Sequence, residues 1–183
     1  MKIYKNILIS LFLYLLSSIT FAYDYDPLLL RAQATIFPKI IMLDENINQK
    51  IQGNTVSILI LSSAEDKNIA ERVKNHIFEK YKNKLGNKML SVETSNFNEL
   101  SNNTTATAFI ILKTSKGNRN KLTSLASREN RIVFSYDYKD FKNNTLISVH
   151  VREKTYVYLN KSALHDYGIK FLPLFYKIVK VIE

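Results

Sequence analysis

This chain of 183 residues contains no cysteine, and it has only four glycines and three prolines. Without cysteine it cannot form disulfides, use a thiol in catalysis or bind a metal through thiolates. Beyond its N-terminal segment, no run of eighteen uninterrupted apolar residues is present, so the rest of the chain has no obvious transmembrane helix. At this length one ordinary hydrophobic core can stabilise the fold without covalent cross-links.

Recognisable catalytic motifs are also absent. The sequence has no G-x-S-x-G elbow, no phosphate loop ending in Gly-Lys-Ser/Thr and no G-x-G-x-x-G. The three histidines, His76, His150 and His165, lack the spacing of metal ligands. We therefore predict no enzymatic activity, no cofactor and no metal. A hydrolase would at minimum require Ser63, a histidine and a carboxylate to meet in the folded chain.

The chain is basic, with a formal net charge of +10 at pH 7. Its lysines and arginines are scattered, and no aromatic-plus-basic motif of the RNA-binding type is present. We therefore expect no nucleic-acid partner. A weak attraction to anionic envelope surfaces or to an acidic protein remains physically reasonable.

The N-terminus has the pattern of an export signal. Two lysines precede residues 7–16, which are apolar except for one serine, and Ala22 offers a small residue at a cleavage point. The apolar run is about half of what a bilayer-spanning helix needs. We predict a signal peptide over 1–22 that is cleaved, which would place 23–183 in the periplasm. An uncleaved N-terminal anchor is the alternative.

The remaining sequence alternates short apolar runs with amphipathic stretches, which is typical of repeated strand–helix–strand units. We predict one α/β domain, a three-layer sandwich with a mostly parallel sheet and an antiparallel C-terminal hairpin at one edge. The predicted strands are 55–61, 88–94, 107–112, 132–136, 146–151 and 156–159. The predicted helix starts are Pro27 after Asp26, the S-x-x-D signal of Ser63 and Asp66, Asn118, and Lys161 after Asn160.

Three local signals predict where other helices begin or end. Pro38 is expected to kink the first helix or to end it near Phe37. Gly86 is expected to end a helix whose apolar stripe runs to Leu85. Pro173 is expected to begin a closing apolar helix that packs back on the sheet.

Polar residues follow the predicted parallel strands. In open α/β sheets ligands bind beyond the carboxyl ends of the strands, where the strand order switches. These residues could hold a small anionic or amide-bearing ligand, or they are the ordinary loop and cap residues of such a fold. The candidates are Ser62, Ser63, Lys113, Thr114, Ser115 and Asp137.

Tyrosines recur in pairs two residues apart. Because side chains alternate along a strand, each pair is expected to share one face. Their rings could stack on a sugar or a protein partner, or they could cover the sheet beneath a helix with the hydroxyls at its rim. The pairs are Tyr136 with Tyr138, Tyr156 with Tyr158, and Tyr23 with Tyr25.

The last third of the chain resembles the YfiR-like family of periplasmic regulatory proteins. The likeness lies in the order of the elements. A strand ends in Asp and is followed a few residues later by Phe, and then a hairpin ends in an apolar residue and Asn. An Ala, a Gly-aliphatic pair and a closing aliphatic helix follow. The earlier order of signal peptide, helix and buried strands also fits. Asn143 and Asn144 stand where the family commonly has glycines, and the cysteines of many members are missing. The matching positions are Asp137, Phe141, Leu159, Asn160, Ala163, Gly168 and Ile169.

The resemblance implies a non-enzymatic periplasmic regulator. Such a protein would bind the extracytoplasmic domain of an inner-membrane signalling protein, a diguanylate cyclase or a sensor kinase, and modulate its output. The alternative is a periplasmic binding module for a small envelope-derived ligand such as a cell-wall fragment, held at the strand ends. For either function we single out Ser63, Lys113, Thr114, Asp137, Tyr136 and Tyr138.

Overall fold

The computed structural model describes residues 24–182; the predicted signal peptide, its cleavage point and Tyr23 lie outside the described residues. The described chain forms one eight-stranded sheet in the order β2-β3-β1-β4-β5-β6-β7-β8. The strands are β1 (Thr55–Ser62), β2 (Lys84–Leu85), β3 (Lys88–Asn96), β4 (Ala108–Ile111), β5 (Ile132–Ser135), β6 (Ile147–Val151), β7 (Thr155–Asn160) and β8 (Val179–Ile182).

The central strands are parallel, as predicted from their apolar runs. Strands β3, β1, β4, β5 and β6 pair in parallel, whereas β6 and β7 form the predicted antiparallel hairpin. Every residue of β4 and β5 is buried, because both strands are covered on both faces. From β1 the chain crosses to β3 on one side and then returns to β4 on the other. The topological switch point therefore lies between β1 and β4.

Helices cover both faces of the sheet. Helices α1 and α3 pack against each other over β1, β3 and β6, and α4 packs against α5 over β5 and β7. Right-handed crossovers that leave β1 and β4 in opposite directions place α3 and α4 on opposite faces. This confirms the three-layer α/β architecture. The helices are α1 (Pro27–Ile41), α2 (Ile47–Lys50), α3 (Lys67–Tyr81), α4 (Lys116–Arg128), α5 (Lys161–Tyr167) and α6 (Pro173–Tyr176), with 3₁₀ turns at Phe97–Glu99 and Tyr138–Asn143.

Pro38 was expected to kink helix α1 or to end it near Phe37. The helix continues through Pro38, so the second of these alternatives was wrong. The Asp26 carboxylate accepts hydrogen bonds from the N–H groups of the first turn, as predicted, and the helix runs on to Ile41. Pro38, Ile40 and Ile41 are all buried. Burying two isoleucines contributes about 3–6 kcal/mol, which exceeds the roughly 3 kcal/mol that an internal proline costs.

Helix α3 ends earlier than its apolar stripe predicted. It stops at Tyr81 because Lys82 and Asn83 adopt left-handed backbone conformations, with φ of 47° and 61°. Leu85 consequently belongs to β2 and not to the helix. Gly86, at φ 64°, forms the turn between β2 and β3 and does not terminate a helix.

The closing segment is also different from its prediction. Pro173 begins α6, but this helix has only four residues, and β8 follows it. Strand β8 pairs in parallel with β7, so the hairpin lies one strand inside the edge of the sheet. An unpaired β7 would expose a row of backbone N–H and C=O groups. Strand β8 forms hydrogen bonds with these groups, and its β-branched residues Val179 and Val181 favour the extended conformation that this pairing needs.

Candidate functional site

The switch point between β1 and β4 is covered by the chain itself. Residues 24–26, which we call the strap, cross the carboxyl ends of these strands just before α1. Tyr25 is the buried centre of the strap, with 7% of its surface exposed. Of the six residues singled out from the sequence, Ser63, Lys113 and Tyr136 lie around it.

The hydroxyl of Tyr25 makes two hydrogen bonds across the switch point. It donates to Oδ2 of Asp66 over 2.8 Å and accepts from the backbone N–H of Lys113 over 3.0 Å. Asp66 is only 2% exposed, and the hydroxyl of Ser63 donates to the same carboxylate oxygen over 3.2 Å. The S-x-x-D signal therefore does not form a capping box. The helix begins at Lys67, and the Asp66 side chain binds the strap instead of a helical N–H.

The backbone of the strap is held as well as its ring. Nζ of Lys113 donates to the carbonyl oxygen of Asp24, and the N–H of Asp26 donates to the hydroxyl of Tyr136 over 2.8 Å. The rings of Tyr25 and Tyr136 lie 4.8 Å apart at 58°, and the Lys113 ammonium lies 5.2 Å from the Tyr25 centroid. These tilted-ring and cation–π contacts add to the hydrogen bonds.

The electrostatics of the strap keep both tyrosines protonated. Burial raises the pKa of Tyr25 well above its ordinary value, and its hydrogen bond to Asp66 raises it further. Burial also raises the pKa of Tyr136, although the hydrogen bond from Asp26 opposes this. A protonated Tyr25 is required here, because only the phenol can donate to the Asp66 carboxylate.

Thr114 and Asp137, which were also singled out from the sequence, have local structural roles. Thr114 accepts hydrogen bonds at the start of α4, its hydroxyl from Asn118 and its carbonyl from Arg119. Asp137 caps the 3₁₀ turn by accepting from the N–H of Lys139. Ser63, Lys113 and Tyr136 therefore lie together around Tyr25, whereas Thr114 and Asp137 are cap and loop residues.

Tyr136 and Tyr138 do not share a face, so that prediction was wrong. Strand β5 ends at Ser135, and the period-two pattern does not extend beyond it. Tyr136 lies beneath the strap, whereas Tyr138 is more exposed, on the 3₁₀ turn. Tyr138 stacks on Tyr158, which neighbours Tyr156 on one face of β7, as predicted for that pair.

An open cavity of about 1370 Å³ lies beside Tyr138, between α4, the 3₁₀ turn and α5. The sequence analysis missed it, because its walls come from segments of the chain that no local pattern connects. Serine, threonine and asparagine are the most numerous residues in its lining, beside the charged Lys116, Lys139 and Asp166, with aromatic rings at one side. Residues that line it include Asn120, Thr123, Ser124, Tyr138, Asn144 and Ser162.

A buried ion pair supports the wall of this cavity. Nη2 of Arg119 lies 2.6 Å from Oδ1 of Asp140, and the Ser135 hydroxyl donates to the other carboxylate oxygen over 3.1 Å. Burial raises the pKa of Asp140, and the Arg119 guanidinium partly opposes that rise. The pair joins α4 to the 3₁₀ turn and fixes one side of the cavity.

The C-terminal part of the chain carries an exposed apolar surface, which we call the apolar edge. It consists of large side chains on and around α6 and β8, while Phe175 between them is fully buried. Leu174 is 60% exposed and Ile178 57% exposed. The members of the apolar edge are Leu172, Leu174, Tyr176, Ile178 and Val181.

The histidines bond to separate neighbours. His76 pairs with Glu79, His150 accepts from Arg152, and His165 lies near Asp166. Within residues 24–182, no three or more carboxylate or imidazole side chains cluster in a way that could hold a metal ion. Among the same residues, no helix is both long and apolar enough to cross a membrane.

Comparison with known proteins identifies the fold alone. No family model and no curated protein matches the chain. Its structure is similar to an ABC domain in complex with L-Trp from Streptococcus pneumonia, with a TM-score of 0.53 and 14% identity over 79% of this chain and 61% of that one. It is also similar to a conserved domain protein from Vibrio cholerae O1 biovar El Tor, with a TM-score of 0.57 and 10% identity over 87% and 61%.

The protein is therefore an α/β domain of the kind that these two structures contain. It spans about three fifths of the length of each of them.

Proposed function

We propose that this protein is a YfiR-like periplasmic regulator that binds the extracytoplasmic domain of an inner-membrane signalling protein and modulates its output. The observation that supports this best is the apolar edge. Five large apolar side chains lie exposed within ten residues of chain, beside an edge strand. Large apolar side chains that are exposed close together commonly mark protein interaction sites.

The edge offers two kinds of contact to a partner. Leu174 and Ile178 supply apolar side chains that fit pockets on another protein. Strand β8 is the last strand of the sheet, so its outer backbone groups can pair with an added strand. Lys180, whose ammonium lies 3.6 Å from the Tyr156 ring centroid, adds positive charge beside this surface.

A domain with no chemistry of its own can still control a receptor. If it binds one of two receptor conformations more tightly, it shifts the population toward that conformation by the difference in affinity. A difference of about 1.4 kcal/mol changes the ratio of the two states tenfold. The regulatory effect then depends on the contact surface and needs no catalytic group.

The test is affinity purification of the chain, cross-linked in intact cells of its native host, followed by mass spectrometry of membrane proteins. We expect an integral membrane cyclase or kinase to be recovered with the native chain and lost with Leu174→Asp/Ile178→Asp. Leu28→Asp is the matched control, since Leu28 is equally apolar, is 70% exposed and lies on α1 away from the edge. Recovery of no membrane signalling protein, or equal loss with the control, would contradict the proposal.

A second candidate function is a binding module for an envelope-derived fragment, and the open cavity beside Tyr138 favours it. Amide and hydroxyl side chains next to an aromatic ring are suited to amide-bearing sugars and peptides. The similar Streptococcus domain was solved in complex with L-Trp, so one domain of this fold holds a small ligand.

Thermal-shift measurements with cell-wall fragments distinguish the two functions. Binding in the cavity predicts a melting-temperature rise of a few degrees that Tyr138→Ala and Asn120→Ala abolish. Lys113→Ala is the control, because Lys113 lies at the strap and not in the cavity. A rise that depends on Lys113 instead would place the ligand at the strand ends, and no rise with any fragment would count against this candidate.

A further inference from the structure

The crevice beneath the strap has the composition of a recognition site. Its groups come from three separate places: Asp66 at the start of α3, Lys113 after β4 and Tyr136 after β5. Asp66 is a buried carboxylate at the switch point, the position where ligands bind in open α/β sheets. The only side chain that the strap buries here is Tyr25, and the flanking Asp24 and Asp26 are exposed.

The deepest part of the crevice selects a phenol. A hydroxyl there must donate to Asp66 and at the same time accept from the Lys113 N–H, and Tyr25 does both. A benzyl group would fill the same volume but would offer no donor to the buried Asp66 carboxylate, which would keep the Ser63 hydroxyl and lose the phenol, and no acceptor to the half-buried Lys113 N–H. Losing a hydrogen bond to a charged group costs about 1.5–3 kcal/mol, which corresponds to a preference of about 10- to 150-fold.

The outer part of the crevice binds backbone. Nζ of Lys113 donates a hydrogen bond to the carbonyl oxygen of the residue before the tyrosine. The Tyr136 hydroxyl accepts one from the N–H of the residue after it. A free phenol has neither group, whereas any extended peptide has both. The contacts therefore fit a tyrosine within a peptide better than they fit a small phenolic compound.

We propose that this crevice is a binding site for a tyrosine-bearing extended peptide of a partner protein, and that residues 24–26 are its tethered occupant. The partner peptide would take over the hydrogen bonds that the strap makes with Asp66, Lys113 and Tyr136. This inference goes beyond the regulatory function proposed above and stands whether or not the apolar edge contacts a receptor.

The experiment empties the site in the full chain with Tyr25→Ala. Calorimetric titration with N-acetyl-Asp-Tyr-Asp-amide is expected to show binding to this variant and at least tenfold weaker binding to the native chain. The phenylalanine analogue of the peptide should bind the variant at least tenfold more weakly. Equal affinity for the two peptides, or no binding of either, would overturn the proposal.

A control ligand and two further variants identify which groups the site recognises. Free p-cresol that binds as tightly as the peptide would show that the backbone contacts contribute nothing and would overturn the peptide assignment. Asp66→Asn in the Tyr25→Ala background should reduce the preference for tyrosine over phenylalanine, because an amide oxygen accepts a weaker hydrogen bond from the phenol than a carboxylate does. Tyr138→Ala, which removes a tyrosine outside the crevice, should gain no peptide binding.

A second measurement applies if Tyr25→Ala does not fold. Tyr25→Phe keeps the ring and loses only the hydroxyl, so the Lys113 amide proton should exchange with solvent at least tenfold faster than in the native chain. Adding the tyrosine peptide should restore its protection as the peptide displaces the strap with its substituted ring. Unchanged exchange in the variant, or no recovery with the peptide, would contradict the proposal.

Discussion

The strand-end crevice and the apolar edge are two sites with opposite properties. The crevice is polar, and the chain's own strap closes it through hydrogen bonds to Asp66, Lys113 and Tyr136. The side chains of the apolar edge are mostly hydrocarbon, and they lie exposed around the buried Phe175. Hydrogen-bonded contacts impose a defined geometry, whereas apolar contacts supply free energy with little directionality. The crevice is thus suited to selecting a particular group, and the edge to binding a broad protein surface.

The inner face of the apolar edge gives the largest expected effect. Phe175→Ala should lower the free energy of unfolding by about 3–5 kcal/mol, because this ring is fully buried and packs 4.3 Å from the Phe171 ring. Urea denaturation followed by circular dichroism measures the loss.

Leu174→Ala, on the exposed side of the same short helix, is the matched control. It should change the free energy of unfolding by no more than about 0.5 kcal/mol. Similar losses for the two variants would mean that the edge has no distinct inner and outer faces, and the comparison would fail.

The polar closure of the crevice is tested by Tyr25→Phe. This variant should lose about 1.5–3 kcal/mol of unfolding free energy, since the buried Asp66 carboxylate loses the hydrogen bond from the phenol. Tyr138→Phe removes a hydroxyl from a more exposed ring and should stay within about 0.5 kcal/mol of the native chain. A neutral Tyr25→Phe would show that the ring alone closes the crevice.

Alkaline pH should destabilise the fold through the phenol in the crevice. The pKa of Tyr25 is raised by burial, so below the ordinary tyrosine pKa of about 10 both folded and unfolded chains keep this proton. Above that pH the unfolded chain releases the proton while the folded chain holds it, so the free energy of unfolding falls as pH rises. The slope from this one group is at most about 1.4 kcal/mol per pH unit.

The measurement is urea denaturation at pH values from 8 to 11, compared with Tyr25→Phe. The native chain should lose more stability over this range than the variant, because only the native chain has a phenol at position 25. The charged groups around the ring, Asp66 and Lys113, are the same in both. Identical pH slopes would mean that the phenol of Tyr25 ionises as freely in the folded chain as in the unfolded one.

A change remote from both regions sets the scale for small effects. Lys82 has a left-handed backbone at the end of α3, which costs a residue with a side chain about 1–2 kcal/mol. Lys82→Gly removes this strain but adds about 0.5–1 kcal/mol of unfolded-state entropy, so a net gain of about 0.5 kcal/mol is expected. Lys84→Gly, in the exposed end of β2, should instead lose stability. Melting temperatures of the two variants report the difference.

The sequence predicted the parts of the fold that local patterns determine. The apolar runs at 55–61 and 107–112 are both strands. The second is buried throughout, whereas buried and half-buried residues alternate along most of the first. Asn160 and Gly168 cap the two ends of α5 as expected. Strand β8 could not be predicted in this way. Its residues become a strand because β7 presents an unpaired edge to them, and that edge exists only after the hairpin has formed.

The sequence predicted the strand ends as the place of a candidate site but did not predict the strap that covers them. The rule for parallel sheets singled out Ser63 and Lys113, and the structure places both beside Tyr25 and its partner Asp66. The strap was missed because its hydrogen bonds join residues 41, 88 and 110 positions apart in the chain. The spacing of Tyr23 and Tyr25 predicted only that the two side chains share a face, and no local signal connects Tyr25 to Asp66.

The covalent joint between the strap and α1 sets a threshold for any competitor. Short tethers hold their ligands at effective concentrations in the millimolar range. Asp26, the last residue of the strap, is also the cap of a rigidly packed helix, so the tether has almost no slack. A free peptide with the same intrinsic affinity would have to reach comparable concentrations to compete. A dilute solute would fail to do so, whereas a partner protein that is also held to the domain by a second contact could succeed.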